Sequence, residues 1–225
     1  MTAPLSLALG TAAFGGQVSL PYAKSVLALE EACAAKAIPF HYILQSGDAL
    51  IQRARQQVAA QFLATPGATH LLMVDADVAF APIDALRLLE SGFEFSAGAC
   101  PRKQEGAPVY DYEPRRPLEE KSGFTRALWV GAGFLLIKRE ALLKMVEAYP
   151  ELRYLGGFIA GDPLAANSQR SALFNCWLDA QSGEYLADDR AFCRRWTDLG
   201  GEIWVDTKSR LGHGGMKLWG GSPDI

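Results

Sequence analysis

Long hydrophobic runs are missing from this sequence. The longest apolar stretch, Ala127 to Ile137, has eleven residues and includes two glycines, too short for a bilayer span, which takes about 20. No Lys or Arg precedes Lys24, so the apolar stretch Leu5 to Leu9 lacks the charged flank of a secretory signal and does not read as one. Cysteine is sparse: Cys33, Cys100, Cys176 and Cys193 lie in different segments with no CxxC spacing. They read as the reduced, mostly buried thiols of a cytoplasmic protein rather than a disulfide framework. A basic excess is absent as well. The 22 Lys and Arg against 25 Asp and Glu leave a net charge of −3, which argues against a general nucleic-acid binder. Tandem repeats and low-complexity tracts are also lacking.

What is present is an ordinary globular composition, 49% apolar and 21% charged over 225 residues, enough for one substantial core. The first hundred residues alternate short apolar runs with helical spacing. Leu5 to Leu9 reads as a strand ending in a glycine-rich turn, Gly10 to Gly16. Pro21 to Lys36 reads as a helix with Val26, Leu27, Leu29, Ala32 and Cys33 on one face. Ile38 to Leu44 is a second strand. Ser46 and Asp48 are candidate caps for a helix over Ala49 to Ala64, with Leu50, Ile51, Val58, Phe62 and Leu63 apolar. Pro66-Gly67 ends it. Leu71 to Val74 is a third strand, Pro82 opens a helix over Ile83 to Glu90, and Phe93 to Gly98 is a fourth strand. This alternation predicts an α/β fold with a mixed, mainly parallel central sheet flanked by helices, in a single domain over residues 1–225.

The second half is less regular. Residues 100–126 form a long polar loop or hairpin region carrying Tyr110 and Tyr112. Ala127 to Ile137 reads as one or two strands broken at Gly131-Ala132-Gly133. Arg139 to Tyr149 is a helix, 150–172 is loop-like, and Leu173 to Leu178 suggests a strand. Leu186 to Leu199 is an amphipathic helix with Phe192, Cys193, Trp196 and Leu199 on one face. Glu202 to Val205 is a last strand, followed by Arg210 to Gly215.

The stretch richest in chemistry is Leu71 to Asp77. A buried strand ends abruptly in Asp75 and Asp77, one small residue apart. In an extended chain, positions i and i+2 face the same way, roughly 6–7 Å apart. Two hard oxygen ligands on one side of a strand end suit a divalent cation that also holds a diphosphate, and open α/β sheets keep their ligands at that end. The competing reading is a pair of turn-forming and capping aspartates.

Three features together resemble metal-dependent GT-A glycosyltransferases, family 2-like, and the chain is also similar to Anp1-type small transferases. They are Asp75-Ala76-Asp77 at the end of a strand, the acidic helix start Leu186-Ala187-Asp188-Asp189 with the basic and aromatic residues after it, and the lone His213 after the strand Ile203-Trp204-Val205-Asp206. Gly131-Ala132-Gly133 stands where the family has a glycine loop lining the donor sugar. The helix start departs from the usual Glu-Asp by reading Asp188-Asp189, and Gln56 stands where Anp1-type sequences commonly carry Asn. The resemblance leaves inversion or retention open. It implies a GT-A, Rossmann-like domain with a nucleotide-binding half over 1–99 and an acceptor-binding half over 100–225. The implied activity is transfer of a hexosyl group from a UDP- or GDP-sugar to a saccharide, lipid-linked or protein acceptor, with Mn²⁺ or Mg²⁺ as cofactor.

In that scheme Asp77 and His213 ligate the metal directly, and Asp75 binds it through water or contacts the ribose. The glycines 212, 214 and 215 around His213 let the backbone approach a ligand closely. Asp189 is the candidate base, with Asp188 on acceptor hydroxyls or in support. Acidic residues in a first helical turn are also stabilised by the helix dipole without any chemistry. Gln45 and Ser46 are candidates for reading the nucleobase edge; Arg53, Arg55, Arg102 and Lys103 are candidates for the phosphates; Gly131 and Gly133 line the donor. Tyr110 and Tyr112 are candidate acceptor contacts, while Trp196, Trp204, His41 and His70 are structural. A phosphatase of the haloacid-dehalogenase type also uses a strand ending in DxD, but after its first strand and followed by Gly-Thr. Here the acids follow the third strand, and Val78-Ala79-Phe80 comes next. A non-catalytic nucleotide-sugar-binding module, or an inactive relative, is the alternative.

Overall fold

A computed structural model describes residues 4–156, 164, 168–215 and 219–220. The first half runs β1 (Leu7–Ala13), α1 (Leu20–Ala35), β2 (Phe40–Ser46), α2 (Ile51–Ala64), β3 (His70–Val74), β4 (Val78–Ala79), α3 (Pro82–Glu90) and β5 (Phe95–Gly98). Then follow β6 (Tyr112–Pro114), β7 (Glu120–Lys121), β8 (Phe124–Val130), β9 (Phe134–Lys138) and α4 (Arg139–Ala148). After a short 3₁₀ turn come β10 (Arg153–Leu155), β11 (Gln169–Ser171), β12 (Trp177–Leu178) and β13 (Tyr185–Leu186). The chain ends with α5 (Asp188–Asp198), β14 (Ile203–Asp206), β15 (Gly212–His213) and β16 (Trp219–Gly220).

The central sheet has the order β2-β1-β3-β9-β5-β14-β8-β6, with β7 on β8. β1 pairs parallel with β2 and β3, and β14 parallel with β5. β9 lies antiparallel between β3 and β5, and β8 is antiparallel to β14. β2, β1, β3, β5 and β14 therefore all point one way, and only β8 and β9 run against the rest. This is a mixed, mainly parallel, Rossmann-like α/β sheet. β9 and β14, from the second half, flank β5 from the first, so both halves contribute to one sheet.

Strand periodicity explains how two layers form. Side chains alternate across the sheet: Leu71 and Met73 enter the same core as Val58, Phe62, Leu142, Met145, Phe192 and Trp196, whereas Leu72 and Val74 enter the core of Tyr22, Leu29, Ala85 and Leu88. α2, α4 and α5 thus cover one face and α1 and α3 the other. Strands buried on both faces read as continuous apolar runs, which is why β3 was legible.

Several expectations are corrected. β1 runs on to Ala13, so Gly10 belongs to the strand and not to a turn. A Cβ at Gly10 would lie 2.2 Å from Val58 Cγ1, so its missing side chain is what lets α2 pack this closely. Leu27, Leu50 and Ile51 are exposed rather than on the buried face. α2 instead buries Arg55, Gln56, Gln57 and Gln61, a polar face that apolar periodicity misreads. The predicted strand over Leu173 to Leu178 shrinks to β12. Trp196 and Trp204 are buried as expected.

Candidate functional site

The strands β1, β3, β5 and β14 end together at one edge of the sheet, and the acidic residues gather there. After β3 the chain turns, with the Val78 N–H donating to the Asp75 carbonyl at 3.0 Å. The extended geometry expected for Asp75 and Asp77 is therefore broken. The two carboxylates part company and take different partners.

Asp75 is held from the α2 side. Arg55, with a side chain only 11% exposed, donates from Nη2 to Asp75 Oδ1 at 2.8 Å and from Nη1 to Asp188 Oδ2. Burial opposes the guanidinium charge, but the two carboxylates overcome it and push the pKa of Arg55 further up. One side chain thus joins the end of β3 to the start of α5. Arg55 is the α2 residue that reaches the site. Arg53 instead pairs with Asp48 at 2.7 Å, and Asp48 also accepts the Leu50 N–H at 3.0 Å. Gln45 has no exposed surface; its amide donates to the Ser46 carbonyl and accepts from Gln61 at 2.9 Å. That inward commitment corrects the expectation that it meets a nucleobase.

Asp77 lies in a different setting. β15 pairs antiparallel with β4, which places His213 opposite Val78, and Gly214 donates its N–H to the Asp77 carbonyl at 2.6 Å. A Cβ on Gly214 would stand 3.0 Å from that carbonyl oxygen, so the glycine permits the approach. His213 Nε2 ends 3.3 Å from Asp77 Oδ1. Its Nδ1 lies 2.9 Å from the Pro101 carbonyl, which only accepts, so Nδ1 carries a proton. Lys103 Nζ contacts Asp77 Oδ2. Burial works against ionising Asp77, but His213 and Lys103 overcome it and bring its pKa down to about 2. Burial likewise disfavours charge on His213, and Asp77 and the Pro101 carbonyl raise its pKa above the usual imidazole range despite this.

The acid pair of α5 is split in role. Asp188 faces Arg55, whereas Asp189 accepts only the Arg190 N–H, at 2.7 Å, among the described residues. Burial, then the charge of Asp188, raises the Asp189 pKa. Asp111, absent from the sequence-derived set, completes the cluster. Arg102 holds it at 2.9 Å, and a Cβ on Gly131 would stand 2.6 Å from its carboxylate. Gly133 has the same relation to Asp75: its carbonyl accepts the Asp75 N–H at 3.1 Å, and a Cβ there would meet Cys100 Sγ at 3.0 Å and Asp75 Oδ2 at 3.4 Å. The two glycines leave room for the carboxylates, a reason visible only in three dimensions. Burial, with Asp75 next, pushes the Cys100 thiol well up, so it stays protonated. Tyr110 and Tyr112 are half-buried. Trp129 donates to Glu113 at 2.7 Å and carries the Arg190 guanidinium 5.2 Å from its ring centre.

Among the described residues no three His, Cys, Asp or Glu side chains converge on one metal position, so Asp75, Asp77 and His213 do not form a three-residue cage. Asp77 and His213 alone do fit an ion. A neutral imidazole with its proton on Nδ1 turns a lone pair toward a carboxylate oxygen, an arrangement that needs a proton or a metal cation between the two. A carboxylate–imidazole pair suits first-row ions such as Mn²⁺ without excluding Mg²⁺. No helix among the described residues is long and apolar enough to cross a membrane.

No protein-family model matches the chain, and no curated protein matches it by sequence. Among solved structures, A197 from STIV is similar over 98% of this chain and 91% of its own, at 17% identity and a TM-score of 0.59. A glycosyltransferase involved in the glycosylation of the major capsid of PBCV-1 aligns over 64% of this chain and 66% of its own, at 14% identity and a TM-score of 0.38. The 4-diphosphocytidyl-2C-methyl-D-erythritol synthase of Anaerococcus prevotii aligns over 70% and 80%, at 10% identity and a TM-score of 0.40. The likeness to A197 is one of fold; the two lower-scoring overlaps carry nothing further.

Proposed function

We propose that this chain is a metal-dependent glycosyltransferase of the GT-A type, transferring a sugar from a UDP- or GDP-sugar to a hydroxyl of a saccharide, lipid-linked or protein acceptor. One observation carries the reading: the opposed Asp77 carboxylate and His213 imidazole at the carboxyl edge of the sheet. These two residues would hold Mn²⁺ or Mg²⁺. When bound, the ion neutralises the negative charge that grows on the departing diphosphate.

The remaining roles belong to the chain's own groups. Asp189 takes the proton from the acceptor hydroxyl. Its burial and the neighbouring Asp188 charge raise its pKa, as suits a base working near neutral pH. Asp188 and Asp75, joined through Arg55, keep the base-bearing helix start in register with the end of β3, and Asp75 is also the candidate for the ribose. Gly131 and Gly133 let the carboxylates of Asp111 and Asp75 lie close to the backbone on the donor side of the site.

Thermal shift and calorimetry with UDP and GDP, each with and without Mn²⁺, test this reading, because a ligand bound only by the native protein raises its apparent stability. The expected outcome is binding that requires Mn²⁺ and vanishes in Asp77→Ala, with slow donor hydrolysis lost in Asp189→Asn. Metal-independent binding, or an unchanged Mn²⁺ affinity in Asp77→Ala, would remove the basis of the reading. Binding without turnover for any acceptor would make the chain a nucleotide-sugar-binding module.

A further inference from the structure

Both oxygens of Asp77 face positive or proton-bearing groups, and both groups depend on the loop after β5. Asp77 Oδ1 faces His213, oriented by the Pro101 carbonyl. Oδ2 takes the Lys103 ammonium, from two residues further along. The base of this loop is pinned. Pro101 bridges to Tyr110, Arg102 N–H donates to the Val109 carbonyl at 2.7 Å, and Asp111 N–H donates to the Cys100 carbonyl at 3.0 Å. Lys103 is the first residue beyond that pinned base, on a long flexible stem. An ammonium donates in three directions and accepts in none, so a divalent ion that takes both oxygens of Asp77 must displace it, and one seated between Oδ1 and His213 is opposed by its charge.

We propose that Lys103 is a placeholder cation: it neutralises Asp77 in the resting protein, yields that carboxylate to the divalent ion, and then pairs with the donor diphosphate. The inference rests on the metal site read in the preceding subsection. The direction of the transfer follows from the surroundings. Arg55 already holds Asp75 and Asp188, and Arg102 holds Asp111. Asp75, Asp188 and Asp111 therefore have cations of their own, and an arriving diphosphate is an anion that the displaced ammonium can take. Lys103 then also positions Asp77, holding its carboxylate in place before the ion arrives.

The test is calorimetry with MnCl₂ alone on the wild type, Lys103→Met and Lys103→Arg, followed by UDP or GDP titrated into the Mn²⁺-loaded proteins. Lys103 is partly exposed, so thermal stability should hardly change and serves as the folding control. Removing the competitor should tighten Mn²⁺ binding about three- to fivefold in Lys103→Met, the scale of a partly exposed ion pair. The same variant should bind the diphosphate about tenfold more weakly, as expected when a charge-assisted contact is lost. Lys103→Arg keeps the charge and should stay near wild type in both. Equal or weaker Mn²⁺ binding in Lys103→Met overturns the placeholder role and leaves the metal site standing. Unchanged diphosphate affinity overturns the transfer to the donor. Absence of Mn²⁺ binding in both wild type and Lys103→Met overturns the metal site itself and this proposal with it.

Discussion

Gly214 brings its backbone N–H to 2.6 Å from the carbonyl oxygen of Asp77, and this contact draws the end of β15 against the turn between β3 and β4. Because a Cβ at Gly214 would sit 3.0 Å from the same backbone oxygen, Gly214→Val must push β15 away and widen the gap between His213 and Asp77. The expected result is Mn²⁺ affinity reduced by about 10-fold or more, the scale of lost support around a ligand. An isothermal titration of Gly214→Val that matches wild type would show the approach to be dispensable.

Arg55→Met would leave two aspartates facing each other without the guanidinium between them. Removing one partner from a buried charge network costs about 3 kcal/mol or more, which for a chain of this size lowers Tm by roughly 10 °C. Adding Asp188→Asn to Arg55→Met should recover part of the loss. A Tm unchanged in Arg55→Met would mean that the bridge contributes nothing to stability.

His70 gives the fold an acid-side weakness. Burial, then the charge of Lys138, lowers its pKa from 6.5 to about 4, so the unfolded chain takes up the proton first as pH falls. The stability carried by the neutral, buried ring is complete above pH 6.5 and is lost as pH falls toward about 4, a change of about 3 kcal/mol. His213 has the opposite sign. Its raised pKa gives a contribution present below pH 6.5 and lost as pH rises through the folded value. Urea unfolding at pH 5 and pH 7 should therefore show a smaller pH difference for His70→Asn than for wild type; equal differences would place the pH dependence elsewhere.

Asp189→Asn removes the proposed base while preserving size. Turnover should fall by about 10²–10⁴-fold, and Mn²⁺-dependent diphosphate binding should persist. In the wild type, the raised Asp189 pKa places the acidic limb of the rate profile above the ordinary carboxylate range, with activity rising as pH increases through it. Full activity in the Asn variant would exclude Asp189 as the base.

Much of the architecture was legible in the sequence. Apolar runs buried on both faces marked β3 and β9, helical spacing marked α1, α3 and α5, and Pro82 marked the start of α3. Asp75 and Asp77 stood out because they interrupt an apolar run, and Asp188, Asp189 and His213 because of their places near element ends. The polar face of α2 was not legible: Arg55 and Gln57 are buried against other polar groups, and hydrophobic periodicity carries no signal for such a face. Asp111 was hidden inside a long polar loop with no periodicity at all.

Local patterns by themselves determined which segments become strands and helices and which acids fall at their ends, because a single element must hide its own apolar side chains whatever else is nearby. Only the tertiary structure decided who meets whom. The insertion of β9 between β3 and β5, the turn after Asp75 and the pairing of β15 with β4 sent Asp75 to Arg55 and Asp77 to His213 and Lys103. Such partnerships depend on strand order and on close backbone approach at Gly133 and Gly214, and neither is written into the periodicity of any one segment.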